Sequence, residues 1–465
     1  MIENLLKPLA WLLIIIAPCL LYPYLLHLGV DPQVSLFTAI AVTTTLFWMF
    51  NLLPELIPAL LALLAVMVFG LAPESVILSG FSSIAFLLAF SIMGLGVVII
   101  ESGLSYRYTL FLLHRLPANT RMHQAAIFFT GFLFTPIVPT IIGRASIVGP
   151  VMTHLVAGWD PRTRARSSTM LYTTGLDSIH YLAPWFLTAA PANLMVFALL
   201  PPQDQQTFDF MFWAYAASVT GLSLLGFYFL ASWLFFRGHG KVALDRAAIA
   251  RQRLELGPMS HFERVTLFGV ILLALGIVTM PLHRLEVHFI AFAVLCFLMY
   301  LGVLDRRTFI TKIDWAFLVL LAAIIGLMAT MRHLHIDRLL VEQLGLVSEL
   351  MREDFTLFVL LFSLVVLGVR LLIPLNSAIL ILATAAMPFA NQAGITPWLV
   401  GFIMLIIAET AFFAYQSPYI YFLRNLTQTI SYSEARVQTF HALLIPCKLA
   451  AIYLSVPFWH HLGLL

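Results

Sequence analysis

Polar residues that could bind an ion stand in the middle of an apolar stretch that runs over residues 355–389. At its centre Arg370 precedes Pro374, and Asn376 and Ser377 follow. Proline removes a helical hydrogen-bond donor, and Asn and Ser favour helix ends, so the helix is expected to break here. The next helix then begins with free backbone N–H groups, which attract anions. Alternatively, the side chains of Asn376 and Ser377 could cap this helix end. We expect both roles together.

A second apolar stretch, residues 124–158, has a similar cluster at its centre. Two prolines stand there, followed by Thr140, Gly143 and Arg144. One membrane-spanning helix needs about 20 residues and two need about 40, so neither stretch has a suitable length. Each is therefore predicted to be a re-entrant hairpin, two half-helices that enter and leave by the same face. Irregular backbone at that depth is tolerated only inside protein or along a cavity.

After each hairpin comes another apolar segment with a short polar break. The first break contains Thr188, Pro191 and Asn193, and the second contains Ser417 and Pro418. Paired interruptions in the two halves of a chain indicate the binding site of a secondary transporter. The predicted midplane site draws on both hairpins and both breaks: Thr140, Gly143, Arg144, Asn193, Asn376, Ser377, Ala378, Ser417 and Pro418.

Four charged residues fall inside the hairpins and interrupted segments, and a fifth, Lys448, falls in another apolar segment. A charge at the bilayer centre costs about 2.5–3.5 kcal/mol or more, so each must face a partner or a cavity. Arg144 and Arg370 could bind substrate, or they could pair with backbone carbonyls or acidic side chains. Asp177 and Glu409 could accept a coupling proton, or they could form those ion pairs. Lys448 is expected to extend toward the cytoplasmic surface.

Composition places the chain among helical membrane proteins. Of its 465 residues 61% are hydrophobic and 10% charged, and no basic run suggests a nucleic acid partner. Cys19, Cys296 and Cys447 lie in apolar segments, so no disulfide framework is expected. Besides the hairpins, apolar windows predict eleven spans, near residues 8–27, 34–53, 57–72, 83–101, 168–200, 210–236, 264–281, 286–304, 313–331, 397–423 and 438–459.

The distribution of Lys and Arg predicts a cytoplasmic N-terminus and an external C-terminus. The basic loop residues then fall mostly on the cytoplasmic side, as is usual, and those outside are Arg284, Arg332, Arg338 and Arg352. The first hairpin opens to the cytoplasm in this arrangement and the second opens to the outside. Two repeats of inverted topology require that relation. We expect an integral protein of a bacterial inner membrane.

Several different short motifs are spaced along the chain, among them Glu55-Leu-Ile-Pro58, the stretch from Leu187 to Asn193, and Tyr415 to Pro418. In their order and spacing the chain resembles the divalent anion/sodium symporter family, which carries dicarboxylates, citrate or sulfate. The resemblance implies an elevator-type homodimer, in which the hairpins and interrupted spans move against a scaffold. It implies scaffold helices over 1–123 and 264–354, transport repeats with hairpins over 124–236 and 355–465, and a cytoplasmic linker over 237–263.

The family's signature is a Ser-Asn-Thr tripeptide at each hairpin tip, whose oxygens and backbone bind sodium and substrate. At the second tip the resemblance implies sodium at Asn376 and Ser377. At the first tip Ile141 and Ile142 offer no side-chain oxygen. Sodium needs several oxygen ligands, so one of the two family sites is expected to be lost. Coupling by a single sodium, by a proton or by exchange of anions then stays open.

The expected function is secondary active transport of a small divalent anion, with no cofactor besides sodium. A dicarboxylate is the first expectation, followed by citrate or sulfate. A membrane-embedded enzyme and an anion channel are the alternatives. The sequence shows no catalytic signature such as His-Glu-x-x-His, and its spans show no continuous polar pore lining.

Overall fold

The structure is a computed structural model whose described residues are 2–115, 119–157, 159, 161–236, 254–336, 345–410, 412–413 and 416–465. The chain is all-α. Its main helices are α1 Ile2–His27, α2 Pro32–Phe50, α3 Leu56–Val68, α4 Ile84–Glu101, α5 Leu104–Arg115, α6 Thr120–Phe134, α7 Ile141–Ala157, α8 Pro161–His180, α9 Pro191–Leu199, α10 Phe210–Ala216, α11 Ser218–Phe235, α12 His261–Val278, α13 Val287–Tyr300, α14 Trp315–His333, α15 Gly345–Glu353, α16 Phe355–Leu372, α17 Leu375–Gln392, α18 Pro397–Ala408, α19 Pro418–Leu426 and α20 Glu434–His461.

Both predicted hairpins are present. The first hairpin consists of α6 and α7, joined by residues 135–140, which we call the first tip. The second hairpin consists of α16 and α17, joined by Ile373 and Pro374; we call this joint together with the first turn of α17, residues 373–378, the second tip. In both cases the irregular segment is shorter than the sequence suggests. Helix resumes at Ile141 and at Leu375, so the polar residues that follow lie in the first turns of α7 and α17.

The two predicted interrupted segments are also present. Helices α8 and α9 are separated by residues 181–190, the first break, and α18 and α19 by residues 409–417, the second break. Proline opens both α9 and α19, where the absent N–H costs nothing. The described part of the second break comprises residues 409, 410, 412, 413, 416 and 417.

Helix packing repeats between the halves. Helix α2 packs on α3 as α12 packs on α13, and α3 packs on α14 as α13 packs on α4. Each hairpin packs against the helix that precedes its break, α8 in the first half and α18 in the second. The short helices after the breaks are exchanged: α9 packs against α17 of the second hairpin, and α19 packs against α7 of the first. The site elements of the two halves therefore form one body.

Membrane-length helices account for most of the predicted spans. Among the described residues, eight helices are long and apolar enough to cross a membrane, and four apolar helices are shorter. Helix α3 has only 13 residues and is therefore about 20 Å long, whereas the hydrocarbon core is about 30 Å thick. Helix α3 alone is therefore too short to cross that core.

Candidate functional site

Arg144 ties the first tip to the first break. Its side chain is fully buried, and its guanidinium donates to the carbonyls of Val138 in the tip (2.7 Å) and Ile179 at the end of α8 (2.8 Å). It also donates to the carbonyl of Ala189 in the break. Nη2 is buried and has no partner among the described residues. The carbonyl alternative foreseen for this arginine is therefore present in the structure.

Arg370 joins the second tip to the second break in the same way. It lies in the first helix of its hairpin, whereas Arg144 lies in the second helix of the other. It donates to the carbonyl of Ile373 in the second tip (2.9 Å) and to that of Ala408 at the end of α18 (2.8 Å). The second break contributes the side chain of Gln416, whose amide donates to the Arg370 carbonyl at 2.7 Å. Each hairpin is thus held to its own break by one buried arginine, since a guanidinium can donate in several directions at once.

The first tip faces a cavity. Thr140 Oγ1 accepts from the Gly143 N–H at 3.1 Å and so caps the start of α7. A Cβ at Gly143 would lie 2.5 Å from that oxygen, so a larger residue here would displace the Thr140 side chain. Both residues line a cavity of about 230 Å³ together with Asp314 and Lys312, and Lys312 pairs with Glu101 at 3.1 Å. The first tip is therefore accessible.

The second tip is occupied by a side chain of the protein itself. Ser377 Oγ donates to Oε1 of Glu55 at 3.0 Å, across 322 positions of sequence. The amide of Asn376 and the backbone N–H of Ser377 lie close enough to stabilise the same carboxylate. Glu55 is the residue directly before the short helix α3.

Asn376 and Ser377 do not cap α17. The N-cap position belongs to Pro374, and no side chain accepts a hydrogen bond from the first turn. The capping role expected from the sequence is therefore wrong at this tip. Proline fixes the entry angle without offering a side-chain acceptor, which leaves the polar groups of the first turn for Glu55.

The remaining predicted site residues lie in or beside the breaks. Asn193 is buried and donates to the carbonyls of Ala183 and Phe186, both at 2.8 Å, whereas its Oδ1 has no partner among the described residues. Ser417 is buried and lies 3.4 Å from Nη2 of Arg370. The other two residues are Ala378, which is buried in α17, and Pro418, which opens α19 and whose side chain lies outside the described residues.

The structure thus brings the predicted residues together in two groups. Thr140 and Gly143 share the cavity at the first tip, and Asn376 and Ser377 share the carboxylate of Glu55. Asp314 of the first cavity also acts electrostatically on Glu55. The described hydrogen bonds of Asn193 and Ser417 hold the breaks instead.

The two buried acids have histidine neighbours. Sequence reasoning considered His180 only as a partner of Asp177 in an alternative acid–base enzyme, and it missed His441 and the proximity of His180 to Glu409. Asp177 Oδ1 lies 2.9 Å from Nε2 of His441 and 3.7 Å from Nε2 of His180. Nδ1 of His180 lies 3.6 Å from Oε2 of Glu409. All four side chains are buried. Asp177 and His180 stand three positions apart on α8, which is a local pattern, whereas Glu409 in the second break and His441 on α20 are brought to them only by the fold.

Lys448 does not extend toward the surface. Its ammonium is buried and donates to the carbonyls of Ile406 (2.8 Å) and Glu409 (2.9 Å) and to Thr410 Oγ1 (2.8 Å). These acceptors stand at the C-terminal end of α18, where a positive charge is favourable. A lysine on α20 thereby closes the helix end that the second break leaves open.

Comparison with known proteins agrees with this architecture. Residues 3–430 match the family described as the sodium:sulfate symporter transmembrane region. The inner membrane protein YbhI of Escherichia coli (strain K12) is 24% identical over 286 residues, 59% of this chain and 60% of that protein. The putative malate transporter YflS of Bacillus subtilis (strain 168) is 26% identical over 241 residues, 50% of each chain. The matched part spans about half to three-fifths of these relatives.

A solved structure shares the fold. The crystal structure of the Alcanivorax borkumensis YdaH transporter, described as having an unusual topology, superposes with a TM-score of 0.53. The alignment covers 84% of this chain and 88% of that one at 15% sequence identity. At that identity the likeness shows the fold alone.

Proposed function

The chain belongs to the sodium:sulfate symporter family, and on that premise we propose that it carries a small dicarboxylate across the membrane, with citrate and sulfate as further candidates. The family makes the protein a secondary anion transporter rather than an enzyme. The dicarboxylate is our inference from the second tip.

The observation that carries this choice is the carboxylate already bound there. Ser377 donates to Glu55, and Asn376 faces the same group. The first turn of α17 also has free N–H groups, which suit an anion. Because the tip binds a carboxylate of the protein, a substrate carboxylate takes that place once the hairpin leaves Glu55. The other end of a dianion then reaches the first tip, with Thr140, Gly143 and Arg144.

We propose that the residues divide into a scaffold and a transport unit. The hairpins and interrupted segments, residues 124–236 and 355–465, would form the transport unit, and residues 1–123 and 264–354 the scaffold. Exchanged packing of α9 and α19 supports this division, because it joins both hairpins into one body. The Glu55–Ser377 contact would then lie between the two units. A homodimer formed through the scaffold belongs to the same proposal.

We further propose that the structure faces the cytoplasm. The charge distribution puts the connections that contain Glu55, Glu101 and Lys312 on the cytoplasmic side. Both tips lie beside these residues, Ser377 against Glu55 and Thr140 in the cavity with Lys312. Movement of the transport unit away from Glu55 would then expose the tips to the outside.

Coupling in this proposal relies on protons or exchange more than on sodium. At the first tip the Thr140 hydroxyl is already engaged by Gly143, and Ile141 and Ile142 add no side-chain oxygen. Asp177 and Glu409 are buried acids beside the breaks. We therefore expect uptake that depends weakly on sodium and rises as external pH falls, or that runs as exchange.

Binding is tested with Asn376→Ala, since Asn376 is a polar side chain of the second tip that lies only partly buried. We expect uptake into proteoliposomes to be abolished while the variant inserts and purifies normally. A thermal-shift series with succinate, malate, citrate and sulfate identifies the substrate class, because a ligand at 100 times its Kd stabilises by about 2.7 kcal/mol. Wild-type uptake by the variant, or no response to any of these anions, would contradict the proposed site.

Coupling is tested by replacing sodium with choline across a series of external pH values. Uptake should change little with sodium and increase at lower pH. A steep, second-order dependence on sodium with no effect of pH would restore coupling to two sodium ions and refute our assignment.

A further inference from the structure

Four buried ionisable side chains form a row through the proposed transport unit. His441 of α20 lies 2.9 Å from Asp177, and Asp177 lies 3.7 Å from one ring nitrogen of His180. The other ring nitrogen of His180 lies 3.6 Å from Glu409 in the second break. The row thus joins an acid of the first repeat to an acid of the second through one imidazole.

Hydrogen bonding within this row is incomplete. Asp177 Oδ2, both carboxylate oxygens of Glu409 and both ring nitrogens of His180 are buried without a hydrogen-bond partner among the described residues. A buried ion pair that serves only stability needs such atoms to be satisfied, because each unpaired one costs free energy. At these atoms a proton can bind without displacing a hydrogen bond to another of the described residues.

One end of the row reaches a cavity. His441 lines a cavity of about 60 Å³, as do Arg424 and Glu434. These two form a salt bridge of 3.1 Å and are 54% and 60% exposed, so the cavity wall extends to the protein surface. In the orientation proposed above, this surface is cytoplasmic.

The other end of the row is surrounded by cations. Arg144, Arg370 and Lys448 act electrostatically on both His180 and Glu409. Tyrosines complete the surroundings: Tyr419 packs on the His180 ring at 5.1 Å, and the remaining two, Tyr181 and Tyr228, face Asp177. Counted as ionised, three cations and two carboxylates sum to +1, and a proton on Glu409 makes the sum +2. A bound dianion is then balanced in full.

We propose that the row His441–Asp177–His180–Glu409 carries the coupling proton between Glu409 and the cavity beside Arg424. This inference rests on the transport function proposed above. Unloading begins when the Glu409 carboxyl gives its proton to Nδ1 of His180, and Nε2 of His180 releases a proton to Asp177. Asp177 passes it to Nε2 of His441, and the imidazole of His441 releases a proton to the cavity that this residue lines. An imidazole suits this task because it can accept on one nitrogen and release from the other.

The two long distances make this path a gated one. Hydrogen bonds that transfer protons span about 2.7–3.2 Å, whereas His180 lies 3.6 and 3.7 Å from its two acids. A small rotation of the His180 ring toward one acid moves it away from the other. His180 therefore separates Glu409 from the cavity side until the ring turns.

The test uses the full-length protein in proteoliposomes, with His180→Gln and His441→Gln as variants. His288→Gln is the matched control, because His288 forms a similar histidine–carboxylate pair with Glu286 at 3.3 Å outside the row. Substrate-driven proton movement is followed with an internal pH dye at clamped membrane potential. Exchange of labelled substrate, which needs no net proton movement, is measured in parallel. Infrared difference spectra of the wild type and Glu409→Gln at two pH values report protonation of Glu409 without any transport.

We expect both row variants to lose at least about tenfold in proton movement per substrate while exchange continues, and the control to behave as the wild type. The Glu409 infrared band should disappear in Glu409→Gln. Unchanged proton movement in both row variants would overturn the path, and so would a wild type that transports without moving protons. Loss of exchange together with proton movement in both variants would show a structural role and also overturn it. If no dianion is transported at all, the proposed function fails, and the infrared band alone then decides whether Glu409 binds a proton.

Discussion

Each hairpin tip is anchored by a buried arginine, but the two tips differ in the groups that they contact. In each, a buried arginine joins the tip to the neighbouring break through backbone carbonyls. The first tip then uses its hydroxyl to cap its own helix and opens on a cavity, whereas the second leaves its polar groups to Glu55. The two repeats therefore keep the same arginine anchor but differ in the polar contacts that their tips make. The following variants test that distinction, from the largest expected effect to the smallest.

Removing either arginine anchor should have the largest effect, and the two effects should be similar. Arg144→Ala and Arg370→Ala each delete several buried hydrogen bonds from a charged donor. Such bonds contribute about 1.5–3 kcal/mol each, so we expect a loss of at least about 3 kcal/mol. The measurement is the yield of monodisperse protein and its heat stability in detergent.

Arg424→Ala is the control for stability, because it removes only an exposed pair with Glu434 that contributes about 0–1 kcal/mol. If Arg370→Ala keeps the yield and heat stability of the wild type while Arg144→Ala loses both, the two arginines are not equivalent anchors.

Glu55→Gln should tighten substrate binding by roughly tenfold. The carboxylate competes with substrate for Ser377, and a hydrogen bond to a charged group contributes about 1.5–3 kcal/mol, with 1.4 kcal/mol per tenfold in affinity. Calorimetry of detergent-solubilised protein with the best dianion gives the dissociation constant. Glu101→Gln, which alters the acid paired with Lys312, should change it little. Weaker binding in Glu55→Gln would show that this carboxylate is no competitor.

Thr140→Ala should lower stability by about 1 kcal/mol, the usual effect of removing a helix cap, and leave affinity within about twofold. Ser377→Ala should instead lower affinity by more than twofold, because its hydroxyl caps no helix and is the group that a substrate carboxylate takes over from Glu55. Heat stability and affinity measured on the same two preparations compare the tips directly. If affinity falls more in Thr140→Ala than in Ser377→Ala, the assignment of binding to the second tip is wrong.

Lys312→Gln should have the smallest effect. Lys312 lines the first cavity, but it is 54% exposed and already paired with Glu101. Screening by water and salt limits such a pair to about 0–1 kcal/mol. We expect a change in affinity below about threefold that disappears at high salt. A larger, salt-resistant loss would place Lys312 in direct contact with substrate.

Most of the architecture could be predicted from sequence, because apolar length and helix-breaking residues are local signals. The two hairpins and two breaks follow from Pro374, Pro191 and their neighbours in this way. The residues at which the helices begin and end could not be predicted as well, because a helix can resume within one residue of a proline. Pro374, for example, leaves Asn376 inside a helix rather than before it.

The contents of the site could be predicted only in part. Asn376 and Thr140 can be recognised as candidates because they are polar residues inside apolar stretches. Their partners cannot be recognised in this way: Glu55 is separated from Ser377 by 322 positions, and His441 from Asp177 by 264. Such contacts depend on how the two repeats pack, and no spacing within one helix records them. Glu55 did stand in one of the motifs noted from sequence, but nothing there showed what it touches.

The exchanged packing of the two short helices also bears on how the chain is made. Helix α7 leaves the ribosome long before its neighbour α19, because α8 to α18 lie between them in the chain. During that interval the first hairpin must wait in the translocation machinery or the bilayer with one face uncovered. Contacts so distant in sequence form slowly. Nascent chains that stop before residue 418 therefore cannot complete either half, and they present an unfinished surface to the proteases and chaperones of the membrane.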